Sequence, residues 1–299
     1  MPELPEVETT KEGLKKDLEG QKILKIQLSN KKLRFPYNKN FIKKITGEYI
    51  LSITRRAKYI LFDLSNGMKI ISHLGMSGSY RIIDKKNFNK GSKIKHDHFV
   101  LHTEEFVAIY NDPRRFGYIL LQENSLSDHE RLSELGYEPL SQECNAKNLS
   151  LLFHKKERNI KNTLLDQKII AGLGNIYVCE ALFKSGISPL LPAKKLVNKD
   201  KTPKKELIDL VKSIKKIIKS SIKLGGSSLR DYVNTEGKMG YFQSTFNVYG
   251  REGKICVSKG CSESIKRIVQ SNRSSFFCSS CQKNEFKSEF TAILFKSIV

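Results

Sequence analysis

The sequence predicts an α+β protein: one helix leads into an N-terminal β-sandwich, and a helical domain with a cysteine-bearing ribbon follows. Three observations predict this architecture. Apolar residues recur first at helical spacing and then in short alternating runs as far as residue 121. Helical periodicity returns after residue 150, and four cysteines in two close pairs come after it. With 299 residues, the chain can form two domains that each bury a core.

The first domain begins with a helix and continues as strands. Apolar or small residues from Val7 to Leu18 fall on one helical face, and Gly20 ends the helix. The pair Asn66-Gly67 lies between two apolar runs and predicts a tight hairpin turn. The predicted strands cover residues 24–28, 59–64, 68–74, 99–101, 106–110 and 118–121.

The second half follows a polar, weakly periodic connection at residues 122–150. Apolar periodicity predicts helices at 160–170, 176–184 and 207–222, and Gly225-Gly226 ends the last of them. A β-hairpin ribbon is predicted after residue 246. The predicted boundaries are 1–135 for the N-terminal domain, 136–150 for the linker, 151–245 for the helical domain, 246–283 for the ribbon and 284–299 for a tail.

The six cysteines indicate a metal site. Cys144 and Cys179 stand alone and are expected to be buried, inert thiols. The other four form the pattern C-x4-C-x16-C-x2-C, at Cys256, Cys261, Cys278 and Cys281. Two close pairs around a hairpin-sized insert suit a tetrahedral zinc ion, and four thiolates leave no open position, so the zinc is expected to be structural. The alternative is redox chemistry or a disulfide at the second pair.

Charge limits the choice of partner. The chain has 53 basic and 31 acidic residues and a net charge of +22, which favours a polyanion, with nucleic acid as the first candidate. The alternative is a generally cationic soluble protein, since most of the excess is lysine. No apolar run approaches the length of a membrane span, and the acidic start does not resemble a secretory signal. We therefore expect the reducing cytoplasm and no membrane partner.

The N-terminus offers a nucleophile. If Met1 is removed, Pro2 becomes a secondary amine with the carboxylate of Glu3 beside it. An α-amino group has a pKa of about 8, well below that of lysine, so a usable fraction is unprotonated at neutral pH. Condensation of such an amine with an aldehyde carbon gives an iminium ion, which draws electrons from the neighbouring carbon. The alternative is that these residues only begin a helix.

Other residues suit contact with nucleic acid. Lys58 leads directly into a predicted strand, which holds it at a strand edge. His96 favours phosphate contact over metal binding, because no further histidine or carboxylate spacing supports a metal site. Lys156 lies in a basic run that either flanks phosphates or forms a solvated helix face. Arg273 shortly precedes Cys278, where a metal-fixed hairpin tip would present it to a phosphate or leave it as a simple surface charge.

Two loops raise further alternatives. The turn from Gly172 to Asn175 either brings backbone N–H groups close to a phosphate or is a plain helix–helix turn. Arg114 beside Phe116 suits insertion into a stack of bases, and Met76 forms a second apolar tip between glycines. Taken singly, Met76 and Phe116 are expected in the core.

Together these segments resemble the formamidopyrimidine-DNA glycosylase family, and the resemblance runs from Pro2 to about Lys283. The motifs that carry it are PELPEVE at 2–8, RRAKY at 55–59, HLGMSG at 73–78, KHDH at 95–98, DPRRFG at 112–117, GLGNIY at 172–177 and the cysteine ribbon. Two departures stand out. The first cysteine pair usually encloses two residues and here encloses four, and the tail extends past the point where the family generally stops.

The resemblance implies a base-excision-repair enzyme that removes 8-oxoguanine and formamidopyrimidines from duplex DNA and nicks the strand by β,δ-elimination. It implies a helix-two-turn-helix in the second domain and a loop closing over the extruded base at 235–242. The implied catalytic residues are Pro2 as Schiff-base nucleophile, Glu3 as general acid/base, Lys58 for β-elimination and Arg273 for δ-elimination. The residues implied to hold DNA are His96, Arg114, Lys156 and Asn175, with Met76, Arg114 and Phe116 as the wedge that fills the gap.

Two other functions remain at this point. An endonuclease VIII-type enzyme of the same superfamily would act on oxidised pyrimidines, although the sequence LPEV at residues 4–7 argues against it. A non-catalytic regulator would bind DNA through the helix pair and the ribbon without nicking, and it would be indifferent to Pro2. For the enzyme we expect a monomer, a bacterial source and damaged double-stranded DNA as partner.

Overall fold

The computed structural model describes residues 2–38, 40–123, 129–227, 235 and 240–285. The chain divides into two compact units, and neither is continuous in sequence. The first comprises residues 1–139, 170–174 and 218–245, and the second comprises residues 140–169, 175–217 and 246–299. The domain boundaries given above stay predictions.

The secondary structure confirms the mixed α+β class. Among the described residues the helices are α1 (Leu4–Leu18), α2 (Phe41–Ile45), α3 (Glu130–Ser133), α4 (Ala146–Phe153), α5 (Ile160–Leu164), α6 (Asn175–Lys184) and α7 (Lys205–Lys223). The strands are β1 (Lys25–Leu28), β2 (Ile50–Arg56), β3 (Tyr59–Leu64), β4 (Lys69–His73), β5 (Ser79–Asp84), β6 (Asp97–His102), β7 (Phe106–Asn111), β8 (Tyr118–Gln122), β9 (Lys266–Gln270) and β10 (Arg273–Phe277). None of these helices is long and apolar enough to cross a membrane.

Two antiparallel four-stranded sheets form the first unit, in the orders β1-β6-β7-β5 and β2-β3-β4-β8. One apolar cluster joins α1 to both sheets, with Val7 and Leu14 from the helix, Ile60 from one sheet and Phe99 from the other. This arrangement confirms the predicted sandwich. One face of each sheet is buried against this shared core. The burial fixes the strand register, because a slip of one residue would expose the apolar side chains.

Strands β2 and β5 were not predicted. The pairing of β2 with β3 shifts register between Ile50 and Ser52, and this irregularity breaks the alternation by which a strand is recognised. Strand β5 carries an arginine and ends in Asp84, so its apolar signal is weak. Cross-strand partners rather than local pattern stabilise both segments.

The second unit differs from the prediction in two helices. Part of the segment interpreted as a connection forms α4, which begins at the N-cap Asn145. The helix predicted over 160–170 ends at Leu164. The apolar residues Ile169 and Ile170 are nonetheless buried, in a turn rather than on a helix. Apolar periodicity reports burial, and a buried turn imitated a longer helix.

The long helix and the ribbon match the prediction. Helix α7 buries a stripe that includes Leu207, Leu210 and Ile214 and leaves lysines on its exposed side. Strands β9 and β10 pair antiparallel around Ser271-Asn272, whose φ angles of 47° and 60° make a tight turn between Gln270 and Arg273. Cys144 and Cys179 are buried, as predicted, and neither forms a disulfide.

Candidate active site

Pro2 and Glu3 are buried where helix α1 begins. Glu3 is 3% exposed, its backbone N–H donates to Glu6 Oε2 at 2.8 Å, and its carbonyl accepts the Val7 N–H at 3.1 Å. Glu6 thus satisfies an N–H group that the helix leaves unpaired. Glu3 is the N-cap residue of α1, so its side chain lies at the positive end of the helix dipole.

A glycine loop makes room for these residues. The Leu4 N–H donates to Gly172 O at 3.2 Å, and a Cβ on Gly172 would lie 2.7 Å from Leu4 Cδ1. A Cβ on Gly174 would lie 2.2 Å from Glu3 Cδ. Gly172 also has a φ of +88°, which favours glycine. The sequence left open whether these glycines approach a phosphate or form a plain helix–helix turn. In the structure the side chains of Leu4 and Glu3 lie against them.

Lys58 reaches the same loop. It lies in the turn between β2 and β3, is 8% exposed, and donates from Nζ to Leu173 O at 3.0 Å. Glu138 fixes the turn, because its carboxylate accepts the Ala57 N–H at 2.6 Å and ion-pairs with Arg55 at 2.8 Å. The predicted residues Glu3 and Lys58 therefore meet at one loop, residues 172–174. Glu138, at a distant place in the sequence, was missed.

The predicted closing loop is only partly described. Residues 228–234 and 236–239 lie outside the described residues. Just before them, Ser227 donates from both N and Oγ to Glu6 Oε1, at 2.8 and 3.0 Å. The segment is thereby tied at its start to the same glutamate that supports Glu3.

Met76 and Phe116 are exposed, at 37% and 45%, which corrects their expected place in the core as single residues. They lie on neighbouring loops, because a Cβ on Gly75 would be 2.3 Å from Gly117 N. The Arg114 guanidinium carbon lies 5.1 Å from the centre of the Phe116 ring. A charged group and two apolar tips are therefore presented together to solvent. A cavity of about 750 Å³ lies beside them.

His73 borders that cavity and is held neutral. Its ring stacks on Tyr118 with centres 5.1 Å apart, and its Nδ1 accepts the Gly75 N–H at 3.0 Å. Burial, followed by the positive charges of Lys58, Arg34 and Arg131, lowers the pKa of His73 to about 3. At neutral pH the uncharged imidazole therefore lies against the loops that carry Met76 and Phe116.

His96 lies in the loop before β6. It adopts a φ of 74°, an uncommon conformation for a residue with a side chain, and its carbonyl accepts the Asp112 N–H at 3.0 Å. Asp97 beside it accepts two bonds from Arg81, at 2.7 and 2.5 Å. Burial alone would raise the pKa of Asp97, but hydrogen bonds from Arg81, Asn111 and the Ile94 N–H hold it below its usual value. The loop thus holds His96 half-buried at a fixed place.

In the second unit, Arg273 is exposed at the end of the ribbon turn. Hydrogen bonds from Lys161 and Asn175, the ribbon pins, hold the residues that follow it. The Ser274 carbonyl accepts Asn175 Nδ2 at 2.8 Å and Lys161 Nζ at 3.1 Å. Lys161, fully buried, also donates to Ser275 Oγ at 2.6 Å. Burial is the largest cause that lowers the pKa of Lys161, and the nearby Arg273 lowers it further. Sequence reasoning missed Lys161 as a support and gave Asn175 only a DNA contact.

Lys156 is exposed in the turn after α4, and its carbonyl accepts the Lys194 N–H at 3.1 Å. Nothing in the described residues ties its side chain to the ribbon pins. It remains a surface cation of the second unit.

The four ribbon cysteines converge. Their sulfurs all lie within 4.8 Å of one another, and the Sγ separations are 3.8 Å for Cys256 and Cys281 and 3.7 Å for Cys261 and Cys278. A disulfide needs about 2.05 Å, so these are free thiols arranged around a point. The group can hold one metal ion. Longer spacing in the first pair does not prevent this convergence.

Glu180 joins α6 to the base of the ribbon. It is 2% exposed and accepts the backbone N–H groups of Asn247, Val248 and Tyr249, each at 2.9 Å. A buried carboxylate bound by three N–H groups is strongly held. The chain that enters the cysteine segment is thus fixed to the helix that carries Asn175.

Comparisons with known proteins agree with this fold. A formamidopyrimidine-DNA glycosylase N-terminal domain model matches residues 1–119, and a formamidopyrimidine-DNA glycosylase H2TH domain model matches residues 135–233. Formamidopyrimidine-DNA glycosylase from Agrobacterium fabrum (strain C58 / ATCC 33970) is 47% identical over 298 residues, covering 95% of this chain and 100% of that protein. The same enzyme from Bartonella quintana (strain Toulouse) is 47% identical over 293 residues with the same coverage.

Solved structures are similar over 94% of this chain and 100% of theirs. A Lactococcus lactis FPG variant in complex with DNA containing Fapy-dG has a TM-score of 0.83 and 34% identity. The Lactococcus lactis Fpg complex with DNA containing an abasic site has a TM-score of 0.81 and 34% identity. The sandwich, the H2TH helices and the four-cysteine ribbon define a DNA-repair glycosylase. The chain belongs to the formamidopyrimidine-DNA glycosylase family.

Proposed function

We propose that this protein excises oxidised purines, 8-oxoguanine and formamidopyrimidines, from duplex DNA and then cleaves the strand at the abasic site, as a step of base excision repair. The observation that carries the proposal is the convergence of buried Glu3 and Lys58 on the glycine loop 172–174, directly beside Pro2. It acts as a monomer on damaged double-stranded DNA in the bacterial cytoplasm.

Pro2 is the nucleophile once Met1 is removed. Its nitrogen attacks C1′ of the damaged nucleotide and displaces the base. Cleavage of the C1′–O4′ bond then opens the sugar ring and converts the new C1′–N bond into an iminium ion, which makes the C2′ proton acidic. Glu3 donates the proton that lets the sugar ring open. Burial of Glu3 and its place next to Pro2 in the chain suit a general acid.

Lys58 and Arg273 serve the two eliminations. Lys58 Nζ, which donates to the Leu173 carbonyl at 3.0 Å, gives a proton to the leaving phosphate of β-elimination. Arg273, exposed on a pinned turn, stabilises the phosphate that leaves in δ-elimination. The strand break then leaves a one-nucleotide gap.

The remaining predicted residues bind DNA. His96, Arg114, Lys156 and Asn175 contact phosphates or the strand, while Met76 and Phe116 fill the gap that the extruded nucleotide leaves. Extrusion costs a few kcal/mol, and a weakened pair lowers that cost. Exposure of both apolar tips supports the wedge role.

The metal of the ribbon is Zn²⁺, with Cys256, Cys261, Cys278 and Cys281 as ligands. A tetrahedral site with Zn–S bonds of about 2.3 Å separates its sulfurs by about 3.8 Å, and the observed separations of 3.8 and 3.7 Å support this assignment. Four thiolates leave no place for substrate, so the zinc would stabilise the ribbon.

Borohydride trapping tests the proposal. A duplex carrying 8-oxoguanine should give a covalent protein–DNA adduct, and Pro2→Gly or retention of Met1 should abolish it. Undiminished trapping in either case would refute the nucleophile. Binding without any nicking would favour the non-catalytic regulator.

A pair of duplexes with different lesions tests the lesion class. One Lactococcus lactis FPG structure contains DNA with an oxidised pyrimidine, so an oxidised pyrimidine belongs beside 8-oxoguanine in the assay. We expect faster excision of the purine. The opposite order would favour the endonuclease VIII-type activity.

A further inference from the structure

The two apolar tips lie on separate loops that interlock. Met76 is on the loop between β4 and β5, and Phe116 is on the loop between β7 and β8. A Cβ on Gly75 would lie 2.3 Å from Gly117 N and 2.5 Å from Phe116 C, so the two backbones touch. Gly75 also has a φ of +63°. Only glycine at this position permits both the conformation and the contact.

A buried hydrogen-bonded pair joins the loops beneath the tips. Ser77 Oγ donates to Asp112 Oδ1 at 2.6 Å and accepts the Arg114 N–H at 3.1 Å. The other carboxylate oxygen, Oδ2, accepts the Gly117 N–H at 2.8 Å. Asp112 is 0% exposed and Ser77 is 4% exposed. Donors from both loops therefore satisfy one buried carboxylate, and such charge-assisted bonds are strong.

Tyr110 anchors this pair to the sandwich core. Its hydroxyl donates toward Asp112 Oδ2 and His73 O, each at 3.4 Å, and a Cβ on Gly117 would lie 1.8 Å from it. Burial, followed by the charge of Asp112, raises the pKa of Tyr110, so the hydroxyl keeps its proton and remains a donor. The anchor lies within the same apolar cluster as helix α1.

We propose that Ser77 and Asp112 are positioning residues that lock Met76 and Phe116 into one rigid wedge. The inference rests on the proposed function, in which the tips enter the base stack. Opening a base step costs a few kcal/mol. If the two loops could separate, the bases would restack and push the two tips apart. A pair fixed in advance meets no ordering cost at insertion. The latch therefore acts on extrusion and leaves the chemistry at Pro2 untouched.

Ser77→Ala tests the latch, with Ser52→Ala as the matched control. Ser52 on β2 donates from Oγ to Asp63 Oδ2 on β3, also at 2.6 Å. Both variants therefore remove a Ser–Asp hydrogen bond of the same length. One substrate is a duplex with 8-oxoguanine beside 2-aminopurine, whose fluorescence rises when its neighbours unstack. The other is a single strand with a preformed abasic site, which needs no extrusion.

We expect Ser77→Ala to slow single-turnover excision from the duplex about tenfold, with an equal delay in the fluorescence rise. Strand cleavage at the single-stranded abasic site should change by less than about twofold. Ser52→Ala should leave both rates unchanged. Asp112→Asn is the second variant, since its amide can keep the Gly117 bond while reversing the polarity toward Ser77, and it should give a smaller loss of the same kind.

Three outcomes would overturn the latch. Excision at the normal rate by Ser77→Ala would show that the tips need no lock. Equal loss on the duplex and the single strand, in both variants, would show a general structural role. If the wild-type protein cleaves neither substrate, the proposed function falls and the latch with it, whereas normal wild-type excision with an unaffected variant removes the latch alone.

Discussion

The two halves of the proposed chemistry are supported in different ways. Around Glu3 and Lys58, the first unit uses a large apolar core and close backbone contact, with Leu4 and Val7 fully buried beside them. Around Arg273, three of the five buried members of the local apolar cluster are cysteines, at Cys179, Cys256 and Cys278. Burial of apolar side chains stabilises the first region, while the second depends on the proposed metal and on hydrogen bonds from buried polar side chains. The two regions should therefore fail separately.

Loss of the metal should have the largest effect and separate the regions most cleanly. Cys278→Ser removes one ligand, and because the ribbon has little apolar core, we expect the metal and the fold of β9 and β10 to be lost. Hydrogen exchange should show no remaining protection in these strands, and DNA nicking should be abolished. Protection of β3, β4 and β7 should stay unchanged.

Cys144→Ser is the control, because this buried thiol lies outside the metal group. It should keep one metal ion per chain. Protection of β9 and β10 that survives in metal-free Cys278→Ser would break the comparison, since the ribbon would then stand without its metal.

Gly174→Ala should be next in size and act on the first region alone. Its Cβ would lie 2.2 Å from Glu3 Cδ, so the carboxylate must move. A shift of about 1 Å at a catalytic group can cost about a hundredfold in rate, and we expect base excision to fall by about that factor. Metal content should be unaffected. Gly91→Ala, whose Cβ would meet only Asn89 Oδ1 at 3.2 Å, is the control, and a similar loss there would contradict the assignment.

Lys161→Met should have a smaller effect and act on the ribbon turn alone. The buried ammonium would no longer bind Ser274 O and Ser275 Oγ, although Asn175 still holds the Ser274 carbonyl. We expect the second elimination, which depends on Arg273, to slow about tenfold relative to the first. The ratio of β- to β,δ-elimination products on a sequencing gel measures it.

Lys199→Met, at an exposed lysine of the same unit, should leave that ratio unchanged. Equal slowing of both eliminations in Lys161→Met would mean that the pin serves the whole protein rather than the turn.

The ribbon was easier to predict from the sequence than the glycine loop, for a physical reason. Structural zinc sites use cysteine or histidine ligands in closely spaced pairs, so the quartet from Cys256 to Cys281 is visible locally. The contact of Glu3 with Gly174 joins residues far apart in the chain, and the sequence shows only a glycine that suits several purposes. Backbone contact leaves no side-chain signature, which is why the sequence left both a phosphate contact and a plain helix–helix turn open for this loop.

Supporting residues were missed for a similar reason. Glu138 was part of a segment interpreted as a connection, yet it fixes the turn before Lys58. Lys161 was one lysine in a basic run, and its burial distinguishes it only in the folded protein. A charged residue in a sequence predicts an exposed surface position. A buried charge whose partners are distant in sequence is therefore not predicted by the local pattern. The proposed catalytic residues are easier to predict, because they lie at the chain end or within a local motif.

The smallest expected effect concerns His73, which tests how far burial alone governs the first region. Its folded pKa of about 3 lies below the usual 6.5, so as pH falls through this window the unfolded chain takes up a proton that the folded ring refuses. Stability should therefore fall, by up to about 2 kcal/mol between pH 8 and pH 5. His73→Asn, which keeps an acceptor for the Gly75 N–H, should remove that part of the fall in urea unfolding. Its cost at pH 8 measures lost packing alone, and an unchanged difference between pH 8 and pH 5 would show that the ring is protonated in place.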